Sequence, residues 1–447
     1  MVSSPPVALG AEIILTFGTI CRRVGIRKLH GRSQTHVQTQ KPFRFGVLFF
    51  LLGCTFGAPD GRAQDWPRVI SKLERAGARQ RKAELPTAYN NYAIQLSNKG
   101  EFEEAEKQLE KAVALALDHK NKTFKKNLST IYLNHAFEVR QDRRNSGYQM
   151  QHLARKLAER ALRHDRNLAE AHVLIGDVAY DSQDLHLAKL SWTRAKSMAP
   201  SLAGVEDRLA KLAREYSVER NFDRAGNAYF DLRYQDGINP STAVGLANAL
   251  REARDEVGRD FKHWPRHKLV VLVYTDEAFA RVRQGPDWVA GVYDGKIRIP
   301  LPRTRSAAAV LKPTLYHEYT HAIIHDLTRN QCPVWLNEGL AEFQESKVRA
   351  PSLNLLRTTT RVDRLIPFAS LDAAFKSSDI QVAGLAYQES YSMVKYLVDR
   401  FGFVRLSRTL KRLAQGTTWE EAVREEYRLK VSVLEHRWKK WLPDLVR

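Results

Sequence analysis

The sequence predicts an all-α helical repeat solenoid followed by an α+β domain with a small mixed sheet and helices. Small residues recur at the same spacing in residues 86–117 and 169–200, and each of these stretches is long enough for a helical hairpin. After Asn227 the helical periodicity gives way to alternating residues, which are typical of strands. With 447 residues, the chain has room for about two or three domains.

The composition is that of a globular protein with a basic surface. Hydrophobic residues make up 43% and charged residues 27%, and 71 Lys and Arg against 50 Asp and Glu give a net charge of +21. Acidic residues are interleaved with the basic ones and no basic stripe carries stacking aromatic residues, so we predict no specific nucleic-acid binding. Three Cys exclude a disulfide scaffold and a Cys-rich metal module. Cys332 is predicted to be a small packed hydrophobe.

An apolar run near the N-terminus predicts export. Phe45–Gly57 follows Lys41 and Arg44 and is shorter than the roughly 18–20 residues that span a bilayer as a helix, a pattern typical of a secretory signal. Leu51–Cys54 resembles a bacterial lipobox, in which the lipidated Cys54 anchors the mature protein to a membrane. Cleavage after Ala63, which gives a soluble exported form, is the alternative. Both place the mature chain in the bacterial cell envelope, in the periplasm or at the membrane.

Residues 1–58 are assigned to a leader and signal segment. Because the signal core begins far from Met1, we expect translation to start downstream, at a valine such as Val37. Residues 1–36 would then not be part of the natural protein. The alternative is a genuine leader.

Residues 66–226 are predicted to form helical hairpins. Ala105 and Ala112 have the same spacing as Ala188 and Ala195, and small residues are needed where two helices cross closely. Gly100 provides the turn of the first hairpin. These positions resemble those of tetratricopeptide repeats.

Two further units lie in the same region. Phe124–Arg144 and Met150–His164 are predicted to form a pair, and a fourth unit covers about Glu206–Leu232 and includes Ala225. The groove of such a solenoid would hold a partner peptide. The alternative is a scaffold that packs on the next domain.

Residues 227–405 are predicted to form the α+β domain, and residues 406–447 a helical extension. The elements of the domain are a strand (228–234), a helix (240–257), a strand (267–275), a hairpin (288–302) and another helix. The hairpin turns at Asp294 and Gly295. The helix after it begins at Ala307 or at Pro313 and ends near Asp326.

This last helix carries the sequence His317-Glu318-Tyr319-Thr320-His321. His317 and His321 are four residues apart, so both imidazoles lie on one side of the helix and reach one Zn²⁺ at about 2.0–2.1 Å. Glu318 is placed to take a proton from a water on the metal and to pass it to a leaving group. Such a short motif also arises by chance, but its apolar flanks predict a buried helix, and buried His and Glu side chains need partners.

A second helix, Val334–Phe343, follows after a short loop. If it packs back on the first helix, Glu338 lies beside the two His side chains. Three protein ligands leave the fourth position of zinc for water. Glu342 is placed one turn further along to accept the free ring N–H of a ligating His, with His317 favoured, and Asn337 to hydrogen-bond the nearby backbone.

The segment HEYTHAIIHDLTRNQCPVWLNEGLAEF is similar to the gluzincin metallopeptidases. Its nearest likeness is to bacterial envelope proteins that join tetratricopeptide repeats to a peptidase-MA-like domain, and the resemblance covers about residues 228–405. It implies a zincin-like fold, zinc held by His317, His321 and Glu338, and hydrolysis of peptide or protein substrates with Glu318 as general base. Only 16 residues separate His321 from Glu338, so Glu342 stays open as the alternative ligand.

The resemblance also implies roles for two further elements. In the family, the strand before the HExxH helix lies at the sheet edge and pairs with the extended substrate, a role that falls to Lys296–Leu301. Tyr387 resembles the position that supplies a phenol to the oxyanion, with Tyr391 as its rival, and the alternative is a core tyrosine. His325, one turn beyond His321, is predicted to pack.

Two other function classes stay open. One is a non-catalytic envelope scaffold that uses the helical repeats, and the other is a zinc hydrolase of a non-peptide amide. The intact Glu318 favours catalysis, because a purely structural metal site has no need of a base.

Overall fold

A computed structural model describes residues 64–116, 118–141, 148–282, 292–302, 304, 307–361 and 364–447. Within these residues the chain divides into two compact units, one formed by 64–223 with 266–270 and the other by 224–265 with 271–447. The predicted leader, signal and lipobox lie outside the described residues. None of the helices in the described part of the chain combines the length and the apolar character that crossing a bilayer requires.

The first unit is built of helices. Their bounds are α1 Trp66–Glu74, α2 Ala78–Asn98, α3 Phe102–Leu115, α4 Asp118–Gln141, α5 Tyr148–His164, α6 Ala169–Asp181, α7 Leu185–Met198 and α8 Val205–Glu219. Helix α2 packs on α3, α4 on α5, and α6 on α7. The structure thereby confirms a helical region.

Small side chains lie where the paired helices of this unit meet. The alanines of the second helix in each pair are fully buried: Ala105, Ala112, Ala154, Ala158, Ala161, Ala188 and Ala195. A methyl group lets two helix backbones approach more closely than a long side chain does. The fourth predicted hairpin is not completed, because Ala225 lies in a strand and not in a helix.

The second unit contains a small mixed sheet, as predicted. The strands are β1 Asp223–Gly226, β2 Phe230–Tyr234, β3 Leu269–Thr275, β4 Val292–Tyr293 and β5 Ile297–Leu301, in the order β1-β2-β3-β5-β4. Strand β3 pairs in parallel with β5, with Val271 opposite Ile297, and β4 pairs antiparallel with β5. Residues 223–226, which the sequence pattern placed in the helical region, thus belong to the sheet.

The edge of the sheet differs from the expectation for Lys296–Leu301. Strand β4 lies outside β5, with Val292 opposite Arg298 and Tyr293 opposite Ile297. The tight turn at Asp294 and Gly295 folds β4 back along β5, and Gly295 makes this possible with a φ of +97°. On this side of the sheet the edge strand among the described residues is therefore β4.

Helices make up the rest of the second unit. Their bounds are α9 Pro240–Phe261, α10 Asp276–Val282, α11 Ala307–Thr328, α12 Val334–Glu345, α13 Asn354–Arg361, α14 Leu371–Ala374, α15 Ile380–Phe401, α16 Phe403–Leu413, α17 Trp419–Tyr427 and α18 Val431–Leu445, with a 3₁₀ turn at Phe368–Ser370. Of the two predicted starts for α11, the structure has Ala307, and Pro313 lies inside the helix. Helix α11 packs against α9 and α12, and α12 packs against α15.

Helices α12 and α15 touch through their backbones at Gly339. A Cβ atom at Gly339 would lie 2.4 Å from the backbone oxygen of Ser390 and 2.7 Å from its carbonyl carbon. Because backbone atoms cannot turn aside as a side-chain end can, only glycine fits here without moving a helix. The contact fixes the position of α12, whose Glu338 precedes this glycine.

We expect Gly339→Ala to lower the free energy of unfolding by about 1–3 kcal/mol, the usual effect of overpacking a core. The higher helix propensity of alanine, worth about 1 kcal/mol, offsets only part of this. Urea denaturation followed by circular dichroism measures the change. Gly384→Ala in α15 is the matched control, since its Cβ meets only the end of the Leu355 side chain at 3.1 Å. Equal stability of the two variants would contradict the prediction.

Candidate metal centre

Two histidines face each other on the buried helix α11. The ring centroids of His317 and His321 are 4.7 Å apart, and the rings are nearly perpendicular at 81°. The four-residue spacing puts them one turn apart on the same side of the helix, as the sequence predicted. His321 is 9% exposed, so its ring is largely shielded from solvent and needs polar partners inside the protein.

Helix α12 brings a carboxylate to both rings. Glu338 Oε2 lies 3.6 Å from His317 Nε2 and 3.6 Å from His321 Nε2. One ligand atom from each of these three residues lies within 4.8 Å of the others. Two imidazole nitrogens and a carboxylate oxygen are a donor set that suits zinc. Burial raises the pKa of Glu338, but the rings of His321 and His317 lower it by more. Glu338 is therefore held as a carboxylate.

A tight turn joins the two helices. Arg329 and Asn330 both have left-handed backbones, with φ of 55° and 59°. The Asn330 N–H donates to the His325 carbonyl oxygen at 3.2 Å, which closes the end of α11. This compact reversal accommodates the 16 residues between His321 and Glu338.

The outer nitrogen of each ring has its own acceptor. His317 Nδ1 lies 3.0 Å from Glu345 Oε2, and His321 Nδ1 lies 3.1 Å from Asn337 Oδ1. Hydrogen bonds at Nδ1 fix the ring orientation and direct Nε2 inward, as acceptors around metal sites do. The expectation that Asn337 bonds the backbone is replaced by this contact to His321.

Glu345 takes the position that the sequence analysis gave to Glu342. Glu342 Oε1 is 3.9 Å from His317 Nδ1, too far for a hydrogen bond. The predicted helix ended at Phe343, whereas α12 continues to Glu345. The missed signal is the spacing of seven residues, or two helical turns, between Glu338 and Glu345.

Glu318 lies beside the rings without a hydrogen-bond partner for one of its oxygens. The residue is 4% exposed, and its Oε2 accepts no hydrogen bond from the described residues. Burial is the main cause that raises the pKa of Glu318 to about 8, against the opposing effect of His317. A divalent cation held by the neighbouring side chains would favour the ionised form, which accepts protons. The unsatisfied carboxylate oxygen therefore fits a site that receives a cation and water.

A cleft of about 560 Å³ opens on this group. His317, Glu318, His321 and Glu338 line it, together with Asn337, Tyr387 and Cys332. Tyr391, the rival of Tyr387, is not among the lining residues. Burial raises the pKa of Tyr387 well above its ordinary value, so the phenol stays protonated and can donate. Its ring meets Phe375 edge-on, with ring centroids 4.9 Å apart.

Two side chains predicted to serve packing alone also line the cleft. The Cys332 side chain is partly exposed, and burial raises the pKa of its thiol well above the ordinary value, so it is not a reactive thiolate. His325 contacts Tyr293 edge-on, with centroids 5.6 Å apart. No pattern in the sequence indicates that Cys332 faces this cleft.

The same region has a match among protein families. Residues 285–444 match the family model described as the Peptidase MA superfamily. The match supports a gluzincin-like peptidase domain. The matched region contains His317, Glu318, His321 and Glu338. It also covers most of the residues from 406 onward, which the sequence predicted as a separate helical extension. The comparison with curated proteins finds no match to the chain.

We expect Glu345→Ala to weaken the binding of added Zn²⁺ by about 10–100-fold, as losses of acceptors behind ligating histidines do. The His317 ring would lose the oxygen that orients it. Competition with a chromophoric chelator measures the affinity. Glu342→Ala removes a similar carboxylate 3.9 Å from the same ring and should have the smaller effect. A larger loss in Glu342→Ala would show that Glu342 is the partner.

Proposed function

We propose that the peptidase domain is a zinc metallopeptidase that hydrolyses peptide bonds with Glu318 as general base. The observation that carries the proposal is the meeting of His317 Nε2, His321 Nε2 and Glu338 Oε2 beside an unpaired oxygen of Glu318. Glu342, the alternative ligand, lies on the Nδ1 side of His317. The donor set therefore favours Glu338 as the third ligand.

Three side chains would hold the ion, and the others would do the proton chemistry. When bound there, zinc would lower the pKa of a water molecule and polarise the substrate carbonyl. Glu318 would accept a proton from the attacking water and deliver it to the nitrogen of the leaving amine. A general base of this kind contributes about 10²–10⁴-fold to the rate.

The remaining residues of the cleft would orient and stabilise. The Tyr387 hydroxyl would donate a hydrogen bond to the carbonyl oxygen as negative charge develops on it. Glu345 and Asn337 would keep the two rings turned toward the ligand side through Nδ1. The protonated state of Tyr387 supports its role as a donor.

We propose further that the mature protein works in the bacterial cell envelope, anchored through a lipid on Cys54 or released into the periplasm. The first unit would act there as a tetratricopeptide-like solenoid that binds a peptide partner or serves as a scaffold. The paired helices and their buried alanines support this reading of the helical region. The identity of residue 1 of the mature protein, read by mass spectrometry, tests the export proposal.

The decisive experiment joins metal content to peptide cleavage. The purified chain should contain about one zinc, since catalytic sites with three protein ligands hold a single ion. A chelator should abolish cleavage of a peptide library, and Zn²⁺, but not Mg²⁺, should restore it. The library is read by mass spectrometry, which locates each new terminus. Cleavage at full rate by the metal-free chain would refute the proposal.

A further inference from the structure

We propose that Arg349 is a positioning residue that selects Glu345, and not Glu342, as the partner of His317. The inference rests on the proposed function in one respect, since it assumes that His317 Nε2 binds the metal. It concerns how the chain resolves a competition between two nearby carboxylates. Neither the motif nor the family match assigns a role to Arg349.

Three carboxylates surround the His317 ring. Glu338 Oε2 is 3.6 Å from Nε2, while on the other side Glu345 Oε2 and Glu342 Oε1 are 3.0 Å and 3.9 Å from Nδ1. A ring nitrogen carries one hydrogen, so a single acceptor can hold it in line. The two glutamates on the Nδ1 side, both on α12, therefore compete for this hydrogen.

Arg349 contacts one of these competitors directly. Its Nη2 forms an ion pair with Glu345 Oε1, and its backbone N–H donates to the Glu345 carbonyl oxygen at 3.1 Å. The guanidinium thus occupies one oxygen of Glu345 and leaves Oε2 for His317 Nδ1. An arginine held from both its backbone and its side chain restricts the rotamers of Glu345. Glu342 has no ion pair with Arg349 among the described contacts.

The two carboxylates also repel each other, and the charge of Arg349 acts on both, but its ion pair is with Glu345. Without the arginine, Glu345 would be free to turn away from Glu342, and His317 would share its hydrogen between two poorly aligned acceptors. The ring would then be less firmly directed toward Glu338. We therefore infer that Arg349 acts on the metal through Glu345 and His317.

The sign of the effect separates positioning from simple electrostatics. Removing a positive charge near a cation site should by itself strengthen cation binding, because like charges repel. Loss of positioning should instead weaken it. Lys347 lies two residues away and forms an ion pair with Asp260 at 2.5 Å, so replacing it makes the same charge change and leaves the Arg349–Glu345 ion pair in place.

The test compares zinc affinities of the purified full chain by competition with a chromophoric chelator. We expect Arg349→Met to weaken binding by about 10-fold, at the low end for residues behind a metal ligand. Arg349→Lys should restore part of the affinity, and Lys347→Met should bind zinc at least as tightly as the wild type. Binding by Arg349→Met that equals or exceeds the wild type would overturn the inference.

A double-mutant cycle with Glu345→Ala tests the route. If Arg349 acts through Glu345, adding Arg349→Met to Glu345→Ala should cause no further loss of affinity. Fully additive losses would overturn the proposed route. The failure of the proposed function looks different, since the wild-type chain would then bind no zinc or cleave peptides without it. Weaker zinc binding by Arg349→Met than by the wild type, with equal unfolding midpoints of the metal-free forms, supports positioning.

Discussion

Glu318→Gln should reduce kcat/KM for peptide cleavage by about 10³-fold while the zinc content stays that of the wild type. Glutamine has nearly the same shape, so the packing around this 4% exposed residue is preserved. Its amide cannot accept a proton, and the loss lies within the roughly 10²–10⁴-fold range of general-base catalysis. The candidate metal ligands are His317, His321 and Glu338, and Glu318 is not among them, so the metal should remain bound.

The chain offers a matched control for this substitution. Glu389 is 1% exposed, has an Oε2 without a hydrogen-bond partner, and has its pKa raised to about 8, mainly by burial. It does not line the cleft. Glu389→Gln thus makes the same buried change elsewhere and should leave kcat/KM unchanged. A wild-type rate in Glu318→Gln would remove this residue from the mechanism.

Glu338→Ala should lower the zinc affinity by more than about 100-fold, beyond the range of losses outside the ligand set. Its Oε2 lies 3.6 Å from both inward ring nitrogens, so its removal leaves two ligands. Zinc content after dialysis, measured by mass spectrometry, and the competition titration both report the loss. Glu342→Ala is the informative comparison, because the sequence left it open as the ligand. If Glu338→Ala kept the zinc content of the wild type and Glu342→Ala lost zinc, Glu342 and not Glu338 would be the third ligand.

The parts of the site that depend on local geometry were predictable from the sequence. The spacing of His317 and His321 places two rings on one side of any α-helix. The strands and the helix that precede this motif follow from periodicity, and their bounds agree with the structure to within a few residues. Within the described residues strand β4 comprises Val292 and Tyr293, a stretch too short for an alternating pattern to establish which strand forms the edge.

The contacts that depend on how helices are rotated were not predictable. The seven-residue spacing from Glu338 makes Glu345 a candidate, but the choice of Glu345 over Glu342 depends on where α12 ends and on its angle to α11, which the sequence does not reveal. The contact of Gly339 with Ser390 joins residues 51 positions apart, and a glycine in a helix does not show what it touches. The residue type of Cys332 predicts a core position, because cysteine is usually buried, but the turn at Arg329 and Asn330 brings it to the cleft.

The backbone contact at Gly339 has a consequence for any attempt to redesign this enzyme. It locks the segment that bears Glu338 to the segment that bears Tyr387, which lies three residues before Ser390. A library of substitutions along that wall, made to alter which peptides are accepted, would tilt both segments together. A substitution there should therefore change substrate preference and zinc retention together. Selection for a change in one property alone should favour substitutions on the β4–β5 side of the cleft.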